Sequence, residues 1–410
     1  MTDKTPLDRQ VWILAGGRML LQFGTGFTLF YAPIFFVNEL GFSPTSVGIA
    51  LGSASISGIV GRFLGGSWSD SPAWGRKKTL LLSAFISAFA DVFLASTYNY
   101  PTLLIGNLLM GLGIGFYWPP AEAMIADLTT PEQRNFAFAL NRLGDSVGLG
   151  FGVAIGGALI ALTGSYRLLF IIDGISFVIF YGVIFFVIRE SGETERISQS
   201  FWQGWRQTLG DYNLWIFCVV NIMFTTYIMQ LQSTLPLYLT NFAVNPDDFS
   251  ITRISGLFSL HIAFAALFQL PVVKILNRLS HIQGLILSFL FWAVGFVFIW
   301  LAGNLTEYAF ITAILAVLIS AIALATYNPP ASGFIVKLAP PSLRGIYFAI
   351  NSQCWAIGNL IGPPLGGFVL DKGANFAHSF WLISSASVSI GIMILLFLQR
   401  NMQKKKPHYF

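Results

Sequence analysis

Twelve long apolar stretches, joined by shorter polar connections, make up most of this sequence. A transmembrane helix needs about 20 mostly apolar residues in a row. The stretches cover roughly residues 11–39, 45–69, 79–98, 101–128, 137–163, 166–189, 213–241, 252–275, 282–303, 306–337, 346–371 and 377–399. Because 55% of the residues are hydrophobic and only 10% are charged, a soluble globule is excluded. The sequence predicts an all-α integral membrane protein with twelve transmembrane helices, here called spans one to twelve.

The second half of the sequence repeats the first at an offset of 210 positions. The segment from the end of span four through span five matches the segment from the end of span ten through span eleven, in one register and without a gap. They pair Tyr117 with Tyr327, Pro119 with Pro329, Pro120 with Pro330, Arg134 with Arg344, Asn141 with Asn351, Gly148 with Gly358 and Gly152 with Gly362. Similar composition alone does not preserve such a register. We therefore predict two pseudo-symmetric six-helix bundles.

Positive charge is distributed unevenly among the connections. Lys and Arg accumulate in the cytoplasmic loops of membrane proteins. If both termini are cytoplasmic, nearly all the basic residues between spans are cytoplasmic as well. The exceptions are Arg167, Arg253 and Lys372. The first apolar stretch is too long for a signal-peptide core and is expected to be retained. These features predict a multi-pass protein of the cell (inner) membrane with cytoplasmic termini.

The longest polar connection covers residues 190–212 and separates the two repeats. We predict an N-terminal bundle over residues 1–189, a cytoplasmic linker over 190–212 and a C-terminal bundle over 213–410. The run Lys404, Lys405, Lys406 follows the last span and is better placed to contact the lipid bilayer than a nucleic acid. We expect a monomer with no nucleic-acid partner.

Residue types that carry enzyme chemistry are few and dispersed. The four His residues lie at positions 261, 281, 378 and 408, and the two Cys residues at 218 and 354. None of these positions forms a metal-ligand spacing or places a nucleophile beside a base. We expect no enzyme activity, no metal and no cofactor.

The connection between spans two and three contains Asp70, Gly75 and Arg76, followed by two Lys residues. This pattern resembles the loop signature of the major facilitator superfamily, with two extra residues between Asp70 and Gly75. The resemblance implies a transporter that works by alternating access. It also implies that Arg76 reaches a carboxylate at the cytoplasmic end of span four, where Asp127 is the candidate, and that this cluster controls the conformational switch. A simple basic loop obeying the positive-inside rule is the alternative.

The run Gly358, Gly362, Pro363 in span eleven resembles the glycine-proline motif that drug and proton antiporters of this family carry in span five. In span five, Gly148 and Gly152 are present, but Val153 stands in the place of the proline. Glycines four residues apart give a flat helix face that permits close packing. A second departure lies in span four, where the stretch 107–113 lacks the Arg that such antiporters usually carry.

Charged residues inside the spans are candidates for substrate or proton binding. Each costs about 2.5 to 3.5 kcal/mol at mid-bilayer and therefore needs a partner or a wet cavity. Spans one, four and five place Arg18, Glu122, Arg142 and Asp145 in the cytoplasmic third of the first half. Arg142 and Asp145 lie three residues apart and either neutralise each other or belong to a transport cavity. The other charged residues within spans are Arg62, Asp91 and Asp173.

A proton carrier must change its charge near neutral pH, which a carboxylate or a histidine can do and an arginine cannot. Glu122 and Asp145 are the preferred carriers. Asp91 and Asp173 rank behind them because spans three and six contribute less to the cavity in this family. His261 in span eight is either a carrier or a structurally satisfied histidine.

The resemblance to the drug-exporting branch implies proton-coupled efflux of a small amphiphilic organic solute. The missing span-four arginine and the displaced glycine-proline motif favour a different function, an uptake symporter or facilitator for a sugar or organic anion. A lipid flippase or a non-transporting sensor on the same scaffold is a third possibility. Proton flux driven by the solute discriminates the first function from a facilitator.

Overall fold

The computed structural model describes residues 7–69, 71, 73–190, 206–276, 278–340 and 343–404. Twelve long helices run through these residues. In the first half they are α1, which begins as Arg9–Leu29 and continues through Tyr31–Ile34 and the π-helical Phe35–Glu39, α2 (Pro44–Ser69), α3 (Gly75–Ala95), α4 (Tyr100–Asp127), α5 (Pro131–Thr163) and α6 (Arg167–Val187).

The second half repeats the plan. It contains α7, which begins as Tyr212–Met229 and continues through the π-helical Gln230–Thr234 and Leu235–Asn241, then α8 (Ile251–Leu276), α9 (His281–Asn304), α10 (Ala309–Leu338), α11 (Arg344–Asp371) and α12 (Ala374–Lys404). A short 3₁₀ helix, Pro246–Phe249, precedes α8. The predicted all-α fold with two six-helix halves is confirmed.

Most of the twelve helices are long and apolar enough to cross a bilayer. In the described part of the chain, eleven helices combine the length and hydropathy of a membrane span with few charged residues. Helix α11 is long but does not reach the same combination. The chain divides into two compact units, Met1–Arg196 and Ile197–Phe410. Residues 191–205 of the predicted linker lie outside the described residues, so the linker stays a prediction.

Polar residues at the helix ends satisfy backbone groups that the helices leave free. Asp8 accepts a hydrogen bond from the backbone N–H of Gln10 at 2.7 Å and so begins α1. Thr130 and Gln133 form a capping box that begins α5. Gly164 ends α5 with a φ of 67°, a left-handed conformation that favours glycine. The boundaries of these helices therefore follow from local sequence.

Small residues bring α1 and α5 into close contact in the first unit. A Cβ atom added to Gly26 would lie 2.8 Å from the Cα atom of Gly152 and 2.7 Å from the carbonyl oxygen of Leu149. The Tyr31 hydroxyl donates a hydrogen bond to the carbonyl of Val153 at 2.6 Å. The predicted flat glycine face of span five is therefore the surface on which α1 packs.

The corresponding helices of the second unit, α7 and α11, meet in a related way. A Cβ atom on Gly362 would approach the Met229 side chain to 2.6 Å, and Gly358 faces Thr225. The side-chain amide of Gln230 donates to the Gly362 carbonyl at 2.8 Å. Unlike α5, α11 contains two internal prolines, Pro363 and Pro364.

Candidate functional site

A salt bridge inside the first unit joins α1 to α5. The Nε atom of Arg18 donates to Asp145 Oδ1 at 2.6 Å. The Arg18 side chain is 8% exposed and that of Asp145 is 19% exposed. A charge-assisted hydrogen bond of this length, largely shielded from solvent, is a strong interaction. It links two charges that the sequence places on different spans.

Glycines on α5 allow this pair to form. Gly144 and Gly148 flank Asp145 on the side that meets α1. A Cβ atom on Gly144 would lie 2.9 Å from the carbonyl oxygen of Ala15, and one on Gly148 would lie 3.1 Å from the Gln22 side chain. Larger residues at either position would push the two helices apart and lengthen the salt bridge.

Aromatic rings of α4 lie against the salt bridge. The Arg18 guanidinium carbon lies 4.5 Å from the centroid of the Trp118 ring, which is a cation–π geometry. The ring of Tyr117 contacts that of Trp118, with centroids 5.6 Å apart, and that of Phe180 on α6 at 5.9 Å. No sequence signal paired either ring with Arg18, although both rings directly precede Pro119 and Pro120 inside α4.

The salt bridge opens onto a cavity of about 190 Å³ within the first unit. Its walls are largely apolar, with hydroxyl and amide groups interspersed. The lining residues are Arg18, Leu21, Gln22, Thr25, Ser83, Ala84, Ser87, Ile114, Tyr117, Trp118, Asp145, Phe177 and Phe180. Helix α3 supplies Ser83, Ala84 and Ser87 to this wall, and α6 supplies Phe177 and Phe180. An apolar cavity with a few convergent polar groups is the usual form of a small-molecule site.

The other two charges of the predicted cluster stand apart from the salt bridge. Glu122 and Arg142 have exposed side chains within their own unit. Glu122 interacts electrostatically with Arg18 and with Arg62, and Arg142 does so with Asp145. Arg18, rather than Arg142, makes the close ion pair with Asp145, because α1 packs directly on the Asp145 face of α5.

The predicted loop cluster is partly described. Arg76 forms an ion pair with Asp127, and its Nη1 atom also donates to the Ala123 carbonyl at 3.1 Å. Asp70 lies outside the described residues. The structure thus brings Arg76 to the end of α4, where the sequence placed a partner, and the role of this cluster in gating stays a prediction.

Glu190, the first residue of the predicted linker, also belongs to this cluster. Its carboxylate accepts hydrogen bonds from the backbone N–H groups of Arg76 at 2.7 Å and Lys77 at 3.1 Å. Gly75 has a φ of 81°, and a Cβ atom there would lie 2.7 Å from Glu190 Oε2. A carboxylate at a helix N-terminus is favourably placed. The sequence feature that could have indicated this role is that Glu190 directly follows span six.

His261 is buried in the second unit, where its Nδ1 atom lies 2.9 Å from the Val317 carbonyl. This contact supplies a backbone partner, as expected of a structurally satisfied histidine. The described residues contain no group of three or more His, Cys, Asp or Glu residues that could hold a metal ion. The buried Cys218 and Cys354 are free thiols.

Comparison with solved structures identifies the fold. The nucleoside transporter NupG, as the D323A mutant, matches with a TM-score of 0.81 at 16% identity, over 95% of this chain and 99% of that one. A D-xylose-proton symporter matches with a TM-score of 0.74 at 18% identity, over 95% and 96% of the two chains. At such low identity these likenesses show the fold alone.

Sequence relatives extend over nearly the whole chain. The multidrug resistance protein MdtG of Proteus mirabilis is 26% identical over 93% of this chain and 94% of its own. The quinolone resistance protein NorA of Staphylococcus aureus is 21% identical over 98% and 99%, and an uncharacterized MFS-type transporter, YqjV of Bacillus subtilis, is 24% identical over 96% and 94%. The sequence family described as Major Facilitator Superfamily matches residues 14–250 and 231–409. The chain therefore belongs to the Major Facilitator Superfamily, and it is a multi-pass membrane transporter and not an enzyme.

Proposed function

We propose that this transporter exports a small amphiphilic organic solute in exchange for protons. The observation that carries the proposal is the Arg18–Asp145 salt bridge, which lines a cavity with aromatic and aliphatic walls. Such walls suit the apolar part of a solute, and the carboxylate suits a cationic or hydrogen-bonding part. The relatives whose names include multidrug or quinolone resistance support export as the direction.

Asp145 is the proton carrier in this proposal. Arginine stays charged throughout the physiological range, so Arg18 cannot release a proton. Protonation of Asp145 removes the negative partner and weakens the bond to Arg18. A cationic solute that binds Asp145 has the same effect. Proton and solute therefore compete for one carboxylate, which is the requirement for exchange.

The Trp118 ring provides a second place for a positive charge. Arg18 occupies that ring face while it is bonded to Asp145. When solute or proton takes Asp145, the guanidinium can stay over the ring and keep part of its stabilisation, since cation–π contacts are worth about 0.5 to 2 kcal/mol. The ring thus holds the guanidinium in the cavity wall after the salt bridge has broken.

We further propose that the protein works as a monomer through an alternating-access cycle. We place it in the cell (inner) membrane with both termini cytoplasmic. The Arg76–Asp127 pair, with Glu190, is proposed to stabilise one conformation of the cycle. The uneven distribution of positive charge supports the orientation.

The test uses everted membrane vesicles containing the protein, a proton gradient reported by a quenched dye, and a panel of lipophilic cations, sugars and organic anions. We expect lipophilic cations to dissipate the gradient with the wild type and not with Asp145→Asn. Asp248→Asn is the matched control, because Asp248 forms an ion pair with Arg253 in which both side chains are well exposed. The control should behave like the wild type.

If no solute in the panel moves protons, or if Asp145→Asn behaves like the wild type, the proposed role of Asp145 is wrong. A facilitator or uptake transporter is then the second candidate. One observation favours it: in the α4 stretch that lacks the antiporter arginine, the Asn107 side chain is used within its own helix, where it donates to the Leu103 carbonyl at 2.9 Å. Solute counterflow without proton movement would identify that function.

A further inference from the structure

A second pair of carboxyl groups lies buried within the first unit. Asp91 is on α3 and Asp173 is on α6, and their side chains belong to residues only 1% and 2% exposed. The two groups are close enough for Asp173 to act electrostatically on Asp91. From the sequence we predicted Glu122 and Asp145 as the preferred carriers, but Glu122 is exposed in its unit and the Asp91–Asp173 pair is among the most deeply buried charges of the described residues.

Two glycines provide the space for these carboxyl groups. A Cβ atom on Gly174 would lie 3.2 Å from the Asp91 Cβ atom. A Cβ atom on Gly24 of α1 would overlap the Asp173 carboxylate and would lie 2.8 Å from Ser176 Oγ. Helices α1, α3 and α6 thus form a close-fitting enclosure around the pair.

Neither carboxylate has a cation beside it in the described part of the chain. Arg167 of α6 donates to the carbonyls of Ala95 and Thr97 at the end of α3, the latter at 2.7 Å. On α1, Gly24 faces Asp173, and Arg18 lies six positions before it and is paired with Asp145. Helix α4 carries its acidic residues, Glu122 and Asp127, near its other end.

The hydrogen bonds of the pair are also incomplete. Both oxygens of Asp91 lack a hydrogen-bond partner among the described residues. The Ser176 hydroxyl donates to the Asp173 backbone carbonyl at 2.7 Å and lies 3.5 Å from Asp173 Oδ1, and the Thr28 side chain of α1 donates a hydrogen bond to the Asp173 carboxylate. Two neighbouring buried carboxylates without cations cannot both stay ionised, so one of the two carries a proton.

Ser87 connects this pair with the cavity. It lies four residues before Asp91, on the same face of α3, and it lines the cavity next to the Arg18–Asp145 pair. Its residue is 1% exposed, and its hydroxyl has no hydrogen-bond partner among the described residues. A hydroxyl can accept and donate a proton at once, so it can relay one.

We propose that Asp91 and Asp173 form a proton-binding site that exchanges protons with the cavity through Ser87. The pair holds one proton on one of its carboxyl groups and takes up a second on the other, which changes its net charge from −1 to zero. As a step in transport, this inference rests on the proposed proton coupling. Asp145 then binds solute and proton in turn, and the Asp91–Asp173 pair stores the proton that the solute displaces from Asp145.

Infrared spectroscopy of the full chain in lipid tests proton storage directly, because a protonated carboxyl group and a carboxylate absorb at different frequencies. We expect a protonated-carboxyl band at neutral pH that is diminished in Asp91→Asn/Asp173→Asn and retained in Asp248→Asn. An amide has nearly the shape of a protonated carboxyl group, so the double variant should fold. If the double variant does not fold, the single variant Asp91→Asn is measured in its place. An undiminished band would overturn the proposal.

Proton flux in the vesicle assay tests the role of the pair in transport. We expect the double variant to lose solute-driven proton flux while it retains solute counterflow, and Ser87→Ala to slow proton flux while keeping the infrared band. Unchanged proton flux in the double variant would overturn the transport role. If the wild type itself shows no solute-driven proton flux, the proposed function fails, whereas the infrared band still decides whether the pair binds a proton.

Discussion

The Glu190 carboxylate accepts a 2.7 Å hydrogen bond from the backbone N–H of Arg76 and so ties the chain just after α6 to the first turn of α3. The same first turn supplies the Arg76 side chain that pairs with Asp127 of α4. One turn of helix therefore connects three elements of the first unit. A disturbance of this turn should affect stability and gating together.

Replacing Gly75 by alanine should disturb this turn in two ways. The left-handed backbone conformation costs a non-glycine residue about 1 to 2 kcal/mol, and the added methyl group would collide with Glu190. Gly41→Ala is the matched control, because Gly41 has a φ of 70° with no atom within 4 Å of an added Cβ atom. We expect the thermal midpoint in detergent to fall further for Gly75→Ala. Equal losses in the two variants would mean that Glu190 moves away without cost.

The Arg18–Asp145 salt bridge should show strong energetic coupling. Removing one partner of a buried pair costs about 3 to 5 kcal/mol, because the other charge is left uncompensated. We expect Arg18→Gln and Asp145→Asn each to lower the thermal midpoint, and the double variant to recover part of the loss. The coupling should be about 0.5 to 3 kcal/mol in a double-mutant cycle. Additive losses would show that the two side chains do not stabilise each other.

Trp118 should contribute to solute affinity. Trp118→Ala removes a cavity wall and the ring under Arg18, whereas Trp118→Phe keeps a smaller ring with a weaker cation–π contact. We expect transport affinity for a lipophilic cation to fall most for alanine and less for phenylalanine. The exposed Trp12 on the same unit, replaced by alanine, is the control. A phenylalanine variant as weak as the alanine variant would count against the cation–π contact.

The contact between α1 and α5 should not tolerate a side chain at Gly152. A Cβ atom there would meet the Gly26 Cα atom at 3.0 Å and the backbone carbonyl of Phe23, so the helices must separate. We expect Gly152→Ala to lower the thermal midpoint and solute transport. Gly182→Ala, a helical position where an added Cβ atom meets nothing within 4 Å, should be neutral or stabilising, since alanine favours helix by about 1 kcal/mol. Wild-type stability in Gly152→Ala would contradict this packing.

The sequence was sufficient for the fold because its signals are local and periodic. Apolar length fixes where helices run, and the register shared by Gly148 and Gly358 reveals the duplication. The partner of Asp145 could not be read in this way. Spacing along α5 suggests Arg142, but the close partner is Arg18, a choice decided by how near the glycines of α5 let α1 approach.

The Asp91–Asp173 site illustrates the same limit. Each residue stands alone in an apolar span, and nothing in the order of residues shows that α3 and α6 bring them together. Glu190 was similarly placed in a linker by its polar neighbourhood, whereas the structure uses it as a helix cap. Contacts between spans of the same unit decide these roles, and a single sequence records such contacts only indirectly.

The two copies of the repeated helix differ in stiffness. Helix α5 keeps its backbone hydrogen-bonding donors through the level of Val153, whereas Pro363 and Pro364 remove two consecutive donors at the matching level of α11. A helix without those donors bends more easily at that point. We therefore expect α11 to bend at this level and α5 to stay straight. Although the two halves are copies in origin, the second half should change shape more than the first.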